Sequence, residues 1–246
     1  MKHPKIVSPV EWLAARRELL RREKELTRAR DAVNTARREL PMTRIEKDYR
    51  FIGPDGELGL ADMFDGHRQL VIQHFMFDPA WETGCGSCTA MADGVGQGVF
   101  EQLAKRSTAF AAVSRAPYPK LRTYQESKGW TFAWYSAHGS DFNYDFHVTL
   151  DPAVRPASYN FKAGDELVAA GFDWMLDYAG EQPGISTFLR DGNDIFHTYS
   201  TYGRGLEAMM AAYSLLDLTA LGRQEDWEEP KGRAPVSYPA NPSFPA

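Results

Sequence analysis

Cys85 and Cys88 are the only cysteines in 246 residues, and they stand three positions apart in Gly84-Cys85-Gly86-Ser87-Cys88. Two cysteines cannot build a disulfide framework, so their spacing carries the information. C-x-x-C beside alternating strand and helix patterns reads as a redox dithiol or as half of a metal site. In the redox reading the attacking species is the thiolate. A cysteine at a helix N-terminus faces unpaired backbone N–H groups and the positive end of the helix dipole, and both stabilise the anion. Cys85 comes first and is the expected nucleophile. Cys88, one turn into the helix, is the expected resolving thiol. A plainer reading leaves Cys88 as an ordinary buried cysteine. The metal reading needs more ligands, since a closed zinc site takes four. The six histidines, His3, His67, His74, His138, His147 and His197, show no H-x3-5-H spacing. His74 lies on the strand feeding the motif, so Cys85, Cys88 and His74 form the alternative metal set, for zinc or copper(I). Otherwise neither metal nor organic cofactor is expected.

Other residues are candidates for holding a substrate. Arg115, in Ser114-Arg115-Ala116-Pro117, follows a strand end, where sites in open α/β sheets lie. It is suited to lowering a thiol pKa or binding an anion, with a surface salt bridge as the plainer role. Trp81 precedes the cysteines on a loop and can cover them. Trp134 and Tyr144 belong to an aromatic run, Trp130 to Phe146, that lines either a pocket or a core.

The elements that must position these groups follow from the pattern. Ser8-Pro9-Val10-Glu11 is a helix start with a capping box. Behind it Trp12, Leu19, Leu26, Val33 and Leu40 repeat at heptad spacing, with Ala15, Arg22, Ala29 and Ala36 interleaved. Such a stripe suits a long arm packed on its own domain or on a second copy, and makes a homodimer through this helix possible. Tyr49 to Phe51 reads as a short strand, Gly53 to Gly56 as a turn and Ala61 to Phe64 as a helical turn. The apolar run Gln69 to Phe77 reads as a strand covered on both faces. Thr89 to Arg106 reads as one helix, weakened by Gly94, Gly96 and Gly98. Thr108 to Val113 is a strand, Pro119 to Lys128 a helix and Trp130 to Tyr135 a strand. Asp151 to Asp165 reads as irregular. Ile185 to Leu189 and Asp194 to Tyr199 form a hairpin around Arg190-Asp191-Gly192-Asn193, and Leu206 to Leu221 a closing helix. The expected divisions are an N-terminal helical arm (1–45), an α/β domain (46–225) and a proline-rich tail (226–246).

Composition narrows the class. A net charge of −5 offers no electrostatic footprint for nucleic acid or an anionic membrane surface. No apolar run reaches the roughly 18–20 residues of a membrane span. The first twenty residues lack the apolar region of a secretory leader, so the expected location is the cytoplasm, where thiols stay reduced unless in use.

The runs HFMFDPAWETGCGSCTAMADG, VSRAPYPKLRTYQESKGWTFAWYSAHGSDFNYDFHV and FLRDGNDIFHTYSTYGRG resemble the bacterial domain-of-unknown-function family 899, as do the N-terminal HPKIVSPVEWLAARRELLRREKELTRARD and EKDYRF. Members are labelled dithiol–disulfide oxidoreductases of the thioredoxin superfamily. The resemblance implies an α/β, thioredoxin-like fold with Cys85 and Cys88 as its catalytic pair, acting on a thiol or disulfide substrate and recharged by an external thiol reductant. Ordinary thioredoxins carry W-C-G-P-C and a cis-proline facing the disulfide. Here Gly84 and Ser87 replace the tryptophan and proline, and Ser186 is the expected occupant of the facing position, after a trans peptide. That departure, with the segment Asp55 to Phe64, brings the chain nearer to peroxiredoxin-like relatives. Thiol peroxidase and non-catalytic metal binding are the alternative functions.

Overall fold

The computed structural model describes residues 3–238. Among them the chain divides into two compact units, 43–214 and a second formed by the stretch up to 42 with the stretch from 215.

The second unit opens with α1 (Pro9–Arg38). Ser8 Oγ accepts from the Glu11 backbone N–H while the Glu11 carboxylate accepts from the Ser8 N–H, so two orphan donors are satisfied. Arg37 and Arg38 occupy the last turn, where cations suit the dipole. No residue of this helix is buried.

The larger unit is built on one eight-stranded sheet. Its strands are β1 (Thr43–Arg44), β2 (Arg50–Gly53), β3 (Gly56–Gly59), β4 (Gln69–His74), β5 (Thr108–Ser114) and β6 (Ala133–Ser136), then, after the short strands below, β11 (Gly184–Asp191) and β12 (Asp194–Tyr202). The spatial order is β1-β12-β11-β4-β5-β6-β2-β3. β4, β5 and β6 run parallel, and β11 pairs antiparallel with β4. Between β4 and β5 come α2 (Gly86–Asp93) and α3 (Gln97–Ala104); α4 (Tyr118–Lys128) joins β5 to β6. Strand, helix, strand, helix, strand and hairpin in this order is a thioredoxin-like α/β arrangement, preceded by a long N-terminal helix.

Period-two alternation sorts the strand residues onto two faces. Leu70 and Ile72 of β4 with Ala109, Ala111 and Val113 of β5 pack on one side with Phe64, Phe142, Phe146 and Phe188. Phe75, Ala112, Trp134 and Phe132 pack on the other with Cys88, Ala92 and Leu121 from the helices. β4 is therefore covered on both sides, which is why it reads as an unbroken apolar run.

Several elements differ from the sequence expectation. The single helix over Thr89 to Arg106 is two. It begins earlier, at Gly86, and breaks at Gly94 to Gly96, where Gly96 takes an extended conformation (φ −96°, ψ 175°) and caps α3; glycine loses more backbone freedom in a helix than any other residue. The third parallel strand starts only at Ala133, because Gly129 ends α4 in the left-handed conformation (φ 67°) and Trp130 bonds back to the Gln125 carbonyl. The closing helix is a 3-10 turn, Gly203–Met209, followed by the short α7 (Ala211–Leu216). Gly203 (φ 53°) turns the chain out of β12 and Met210 (φ −90°, ψ 89°) leaves the helical region between the two. The hairpin strands extend to Asp191 and from Asp194, leaving the two-residue turn Gly192-Asn193. The irregular stretch carries a small hairpin, β8 (Ser158–Tyr159) and β9 (Lys162–Ala163). It is preceded by α5 (Phe142–Asp145) and β7 (Thr149–Leu150), and followed by α6 (Asp165–Ala169) and β10 (Gly180–Glu181), which pairs with β7. Tyr159, Leu167 and Met175 from this region are buried in the core. In the proline-rich tail Tyr238 bridges to Glu225; 239–246 lie outside the described residues. No helix among the described residues is long and apolar enough to cross a membrane.

Candidate active site

β4 delivers the chain to the cysteines through the loop 78–84, and that loop is held from three directions. Ala80 N–H donates to Asp78 Oδ1 at 2.8 Å, closing a turn. Lys120 Nζ, from α4, donates to the carbonyls of Pro79 and Trp81, both at 2.8 Å. Arg115, just past β5, pairs with the Asp78 carboxylate. The loop ends at Gly84, where a Cβ would sit 2.6 Å from Phe75 Cε1 and 3.3 Å from Tyr124 Cε1. Only glycine lets the backbone pass between these rings. The missing tryptophan before the first cysteine thus has a steric reason.

Cys85 is the N-cap of α2 (φ −56°, ψ 133°), and its own N–H donates to the Met76 carbonyl at 3.0 Å. Its thiol is half-buried and lies 3.0 Å from Ser87 Oγ. Cys88, in the first turn, is only 2 % exposed. The Met76 N–H points at Cys88 Sγ over 3.5 Å, and Gln73 Nε2 donates to the Cys88 carbonyl at 3.3 Å. Both thiols are free. The two are electrostatically unlike. The Cys88 hydrogen bond holds Cys85 down to about 5, against burial that opposes it, with further help from the Ser87 side chain and the backbone N–H groups of Cys88 and Ser87. The same bond to Cys85, then burial, pushes Cys88 well up. The pair thus loses one proton readily and keeps the other, which Cys88 presents to the Cys85 anion.

The surrounding residues fix the helix start. Thr89 Oγ1 donates to the Cys85 carbonyl at 2.9 Å and meets Tyr124 OH at 3.0 Å. Tyr178 stands within electrostatic range of Cys85, Glu181 and Asp78, and burial raises its phenol, so it stays protonated at neutral pH. Gln73, Thr89, Tyr124 and Tyr178 were not singled out by the sequence. Gln73 alone left a signal, as an amide inside an apolar strand.

The expected substrate residues scatter. Trp81 packs, half-buried, against the core cluster that contains Cys88. Arg115 is no free cation: besides Asp78 it donates from Nε to Glu181 Oε1 at 2.7 Å. Glu181 is 1 % exposed and also accepts from Thr149 Oγ1 at 2.8 Å. Two carboxylates therefore consume the charge expected for an anion, and Arg115 acts as a tie between the loop and β10. Trp134 is 2 % exposed and donates from Nε1 to Ser114 Oγ at 3.0 Å, so it lines the core and no pocket. Tyr144 packs its ring near the Arg155 guanidinium, 5.8 Å from the centroid. Ser186 is fully buried on the opposite face of the sheet, because β11 turns its side chain toward His74. Pro183, not Ser186, immediately precedes β11.

His74 shares that opposite face. Its ring packs on Phe142 and Phe146, while its neighbour Gln73 reaches Cys88 on the other side. The alternative set of Cys85, Cys88 and His74 is therefore split by the sheet, and among the described residues no three His, Cys, Asp or Glu side chains gather as a metal site. His74 instead starts a buried chain of hydrogen bonds: Nε2 to Ser186 Oγ, Ser186 Oγ to Ser200 Oγ, and Ser200 Oγ to His197 Nε2, each 2.7 Å.

Comparison with known proteins gives a family and a set of distant structures. No curated protein matches the chain. Among solved structures, a cysteine-to-serine mutant of Xanthomonas campestris peroxiredoxin Q is similar with 14 % identity and a TM-score of 0.43, covering 72 % of this chain and 98 % of that one. Peroxidoxin BcpB of Mycobacterium tuberculosis has 12 % identity and a TM-score of 0.45, covering 70 % and 97 %. The model of the family described as "Bacterial protein of unknown function (DUF899)" matches residues 1–238. The chain therefore belongs to the DUF899 family of bacterial proteins.

Proposed function

We propose that this protein is a dithiol–disulfide oxidoreductase in which Cys85 attacks and Cys88 resolves. The observation that carries the reading is the inequality of the two thiols: a half-exposed Cys85 held to about 5 at a helix N-cap, and a buried Cys88 one turn in, pushed the other way. The Cys85 thiolate attacks one sulfur of a substrate disulfide, forming a mixed disulfide and expelling a substrate thiolate. Cys88 gives its proton to that thiolate and attacks Cys85 Sγ. The second substrate thiolate leaves, and a Cys85–Cys88 disulfide remains. Two electrons pass to the substrate, and an external thiol returns them. No metal or organic cofactor takes part.

A second reading, thiol peroxidase, is favoured by the partial burial of Cys85, which admits a small peroxide more readily than a folded protein. The thiolate would attack the terminal hydroxyl oxygen of the peroxide, and the O–O bond would break. The alkoxide or hydroxide would leave and take up a proton, leaving Cys85 as a sulfenic acid. The Cys88 thiol would then condense with it, forming the Cys85–Cys88 disulfide and releasing water.

Equilibration in graded thiol–disulfide buffers, followed by alkylation and intact-mass measurement, tests the dithiol. The expected result is one two-electron transition between about −300 and −120 mV. Cys88→Ser should trap a mixed disulfide and Cys85→Ser should not react. Both thiols alkylated throughout the series would refute the reading. Peroxide consumption coupled to a dithiol reductant separates the two enzymes.

A further inference from the structure

Helix α1 runs for 30 residues and buries none of them. Trp12, Leu19, Leu26 and Val33 are 58, 52, 70 and 56 % exposed, and they recur every seven residues. With these at the a positions of a heptad, Ala15, Arg22, Ala29 and Ala36 fall at d. The flanking g positions read Glu11, Glu18 and Glu25, then Ala32. The e positions read Arg16, Glu23, Arg30 and Arg37. Acid at three of four positions on one flank and base at three of four on the other is a coiled-coil pattern.

We propose that α1 pairs with α1 of a second copy of this chain, parallel and in register, as a two-stranded coiled coil. Charge decides the orientation. In a parallel pair each g residue faces the e residue five positions on in the other helix. Glu11 then meets Arg16, and Glu25 meets Arg30, each contact occurring twice by symmetry. An antiparallel pair sets g against g and e against e, bringing glutamates onto glutamates and arginines onto arginines. One parallel layer has like charges, Glu18 against Glu23. That layer also holds Arg22, the one charged residue of the d seam, already 3.8 Å from Glu18 on its own helix. Two arginines there offset the four glutamates, and a charged seam residue fixes register at some cost in stability. Within one helix Arg16 now bonds Glu23 at 2.9 Å and Arg21 bonds Glu25 at 2.6 Å. Arg21 and Glu25 are exposed, and such pairs contribute little, while Arg16 and Glu23 are half-buried. The alanines at d let the two backbones approach closely along that side.

Sedimentation equilibrium of the reduced full chain is the first measurement. The expected species has twice the chain mass of 27.7 kDa. Leu19→Glu with Leu26→Glu should sediment as monomer with unchanged near-ultraviolet circular dichroism, since neither side chain is buried. Glu25→Arg should loosen the dimer by about tenfold, and adding Arg30→Glu should restore it. Leu19→Cys and Val33→Cys, each made in a Cys85→Ser, Cys88→Ser background, should both form a symmetric disulfide, because a faces a only in the parallel, in-register pair. A monomeric wild type, a dimer that survives the double glutamate variant, or cross-linking at only one of the two sites overturns the proposal. None of these outcomes depends on the thiol chemistry.

Discussion

The rate at which Cys85 attacks a small aromatic disulfide, followed from pH 4 to 9, should titrate with a midpoint near 5. An unperturbed cysteine titrates near 8.5, so at pH 6 about 90 % of Cys85 is thiolate against roughly 0.3 % of a free thiol, a gain of about 300-fold. Lower basicity takes part of this back. With a Brønsted coefficient of about 0.4–0.5, a drop of about 3.5 in pKa slows the thiolate itself by about 40-fold. Cys85 should then react about sevenfold faster than an ordinary thiol at pH 6, and about 40-fold slower above pH 9, where both are ionised. Stopped-flow detection of the coloured leaving thiolate reads both limits. The leading cause of the low value is the hydrogen bond from Cys88, so Cys88→Ala should move the midpoint upward. Cys88→Ser, which keeps a donor, should move it less. A wild-type midpoint near 8.5, or one that Cys88→Ala leaves in place, would refute the reasoning.

Three other perturbations test the frame around the site. Gly84→Ala drives a methyl into Phe75 and Tyr124, and overpacking of this kind should cost about 1–3 kcal/mol in urea unfolding; an unchanged midpoint would mean the loop is not wedged there. Arg115→Leu leaves the buried Glu181 carboxylate without its cation. Burial already raises Glu181 against the pull of Arg115, so the variant's folded state binds an extra proton and its stability falls as pH rises past the ordinary carboxylate range. The loss should be about 3 kcal/mol at pH 8 and smaller at pH 5, and equal losses at both would count against it. Burial holds His74 down to about 3, so it stays neutral in the fold while the unfolded chain charges near 6.5. Its contribution is present above that value and fades as pH falls, by about 2 kcal/mol between pH 7.5 and 5. Wild type should lose that much more than His74→Gln over this interval, and parallel stability curves would show that His74 charges in place.

Much of this protein was legible locally. The Ser8 capping box, the turn at Gly53 to Gly56, the covered strand at Gln69 and the Asp-Gly hairpin are each specified by neighbours within a few residues. The Cys85–Cys88 spacing was legible too, but the helix start that makes Cys85 the N-cap lies at Gly86, three residues ahead of the expected Thr89. Where local signals conflicted, tertiary packing decided. The glycines at 94 and 96 were visible, but that they divide two helices, with Gly96 extended ahead of α3, is seen only in the structure.

Side-chain partnership was settled by the sheet alone. A strand alternates its faces at every residue, so Gln73 meets the Cys88 carbonyl while His74, one position on, enters the opposite core with Ser186. Sequence proximity had made His74 look like a ligand for the cysteines. For Arg115 the sequence left an anion site and a salt bridge open, and folding set it between Asp78 and Glu181, separated from it by 37 and 66 residues. Sequence therefore pointed to the residues whose types and spacing suit chemistry, while the helix start at Gly86, ahead of the expected Thr89, came from the structure. Only the tertiary structure decided which neighbours reach them, because partners distant in the chain are brought together by register and burial, which no local pattern encodes.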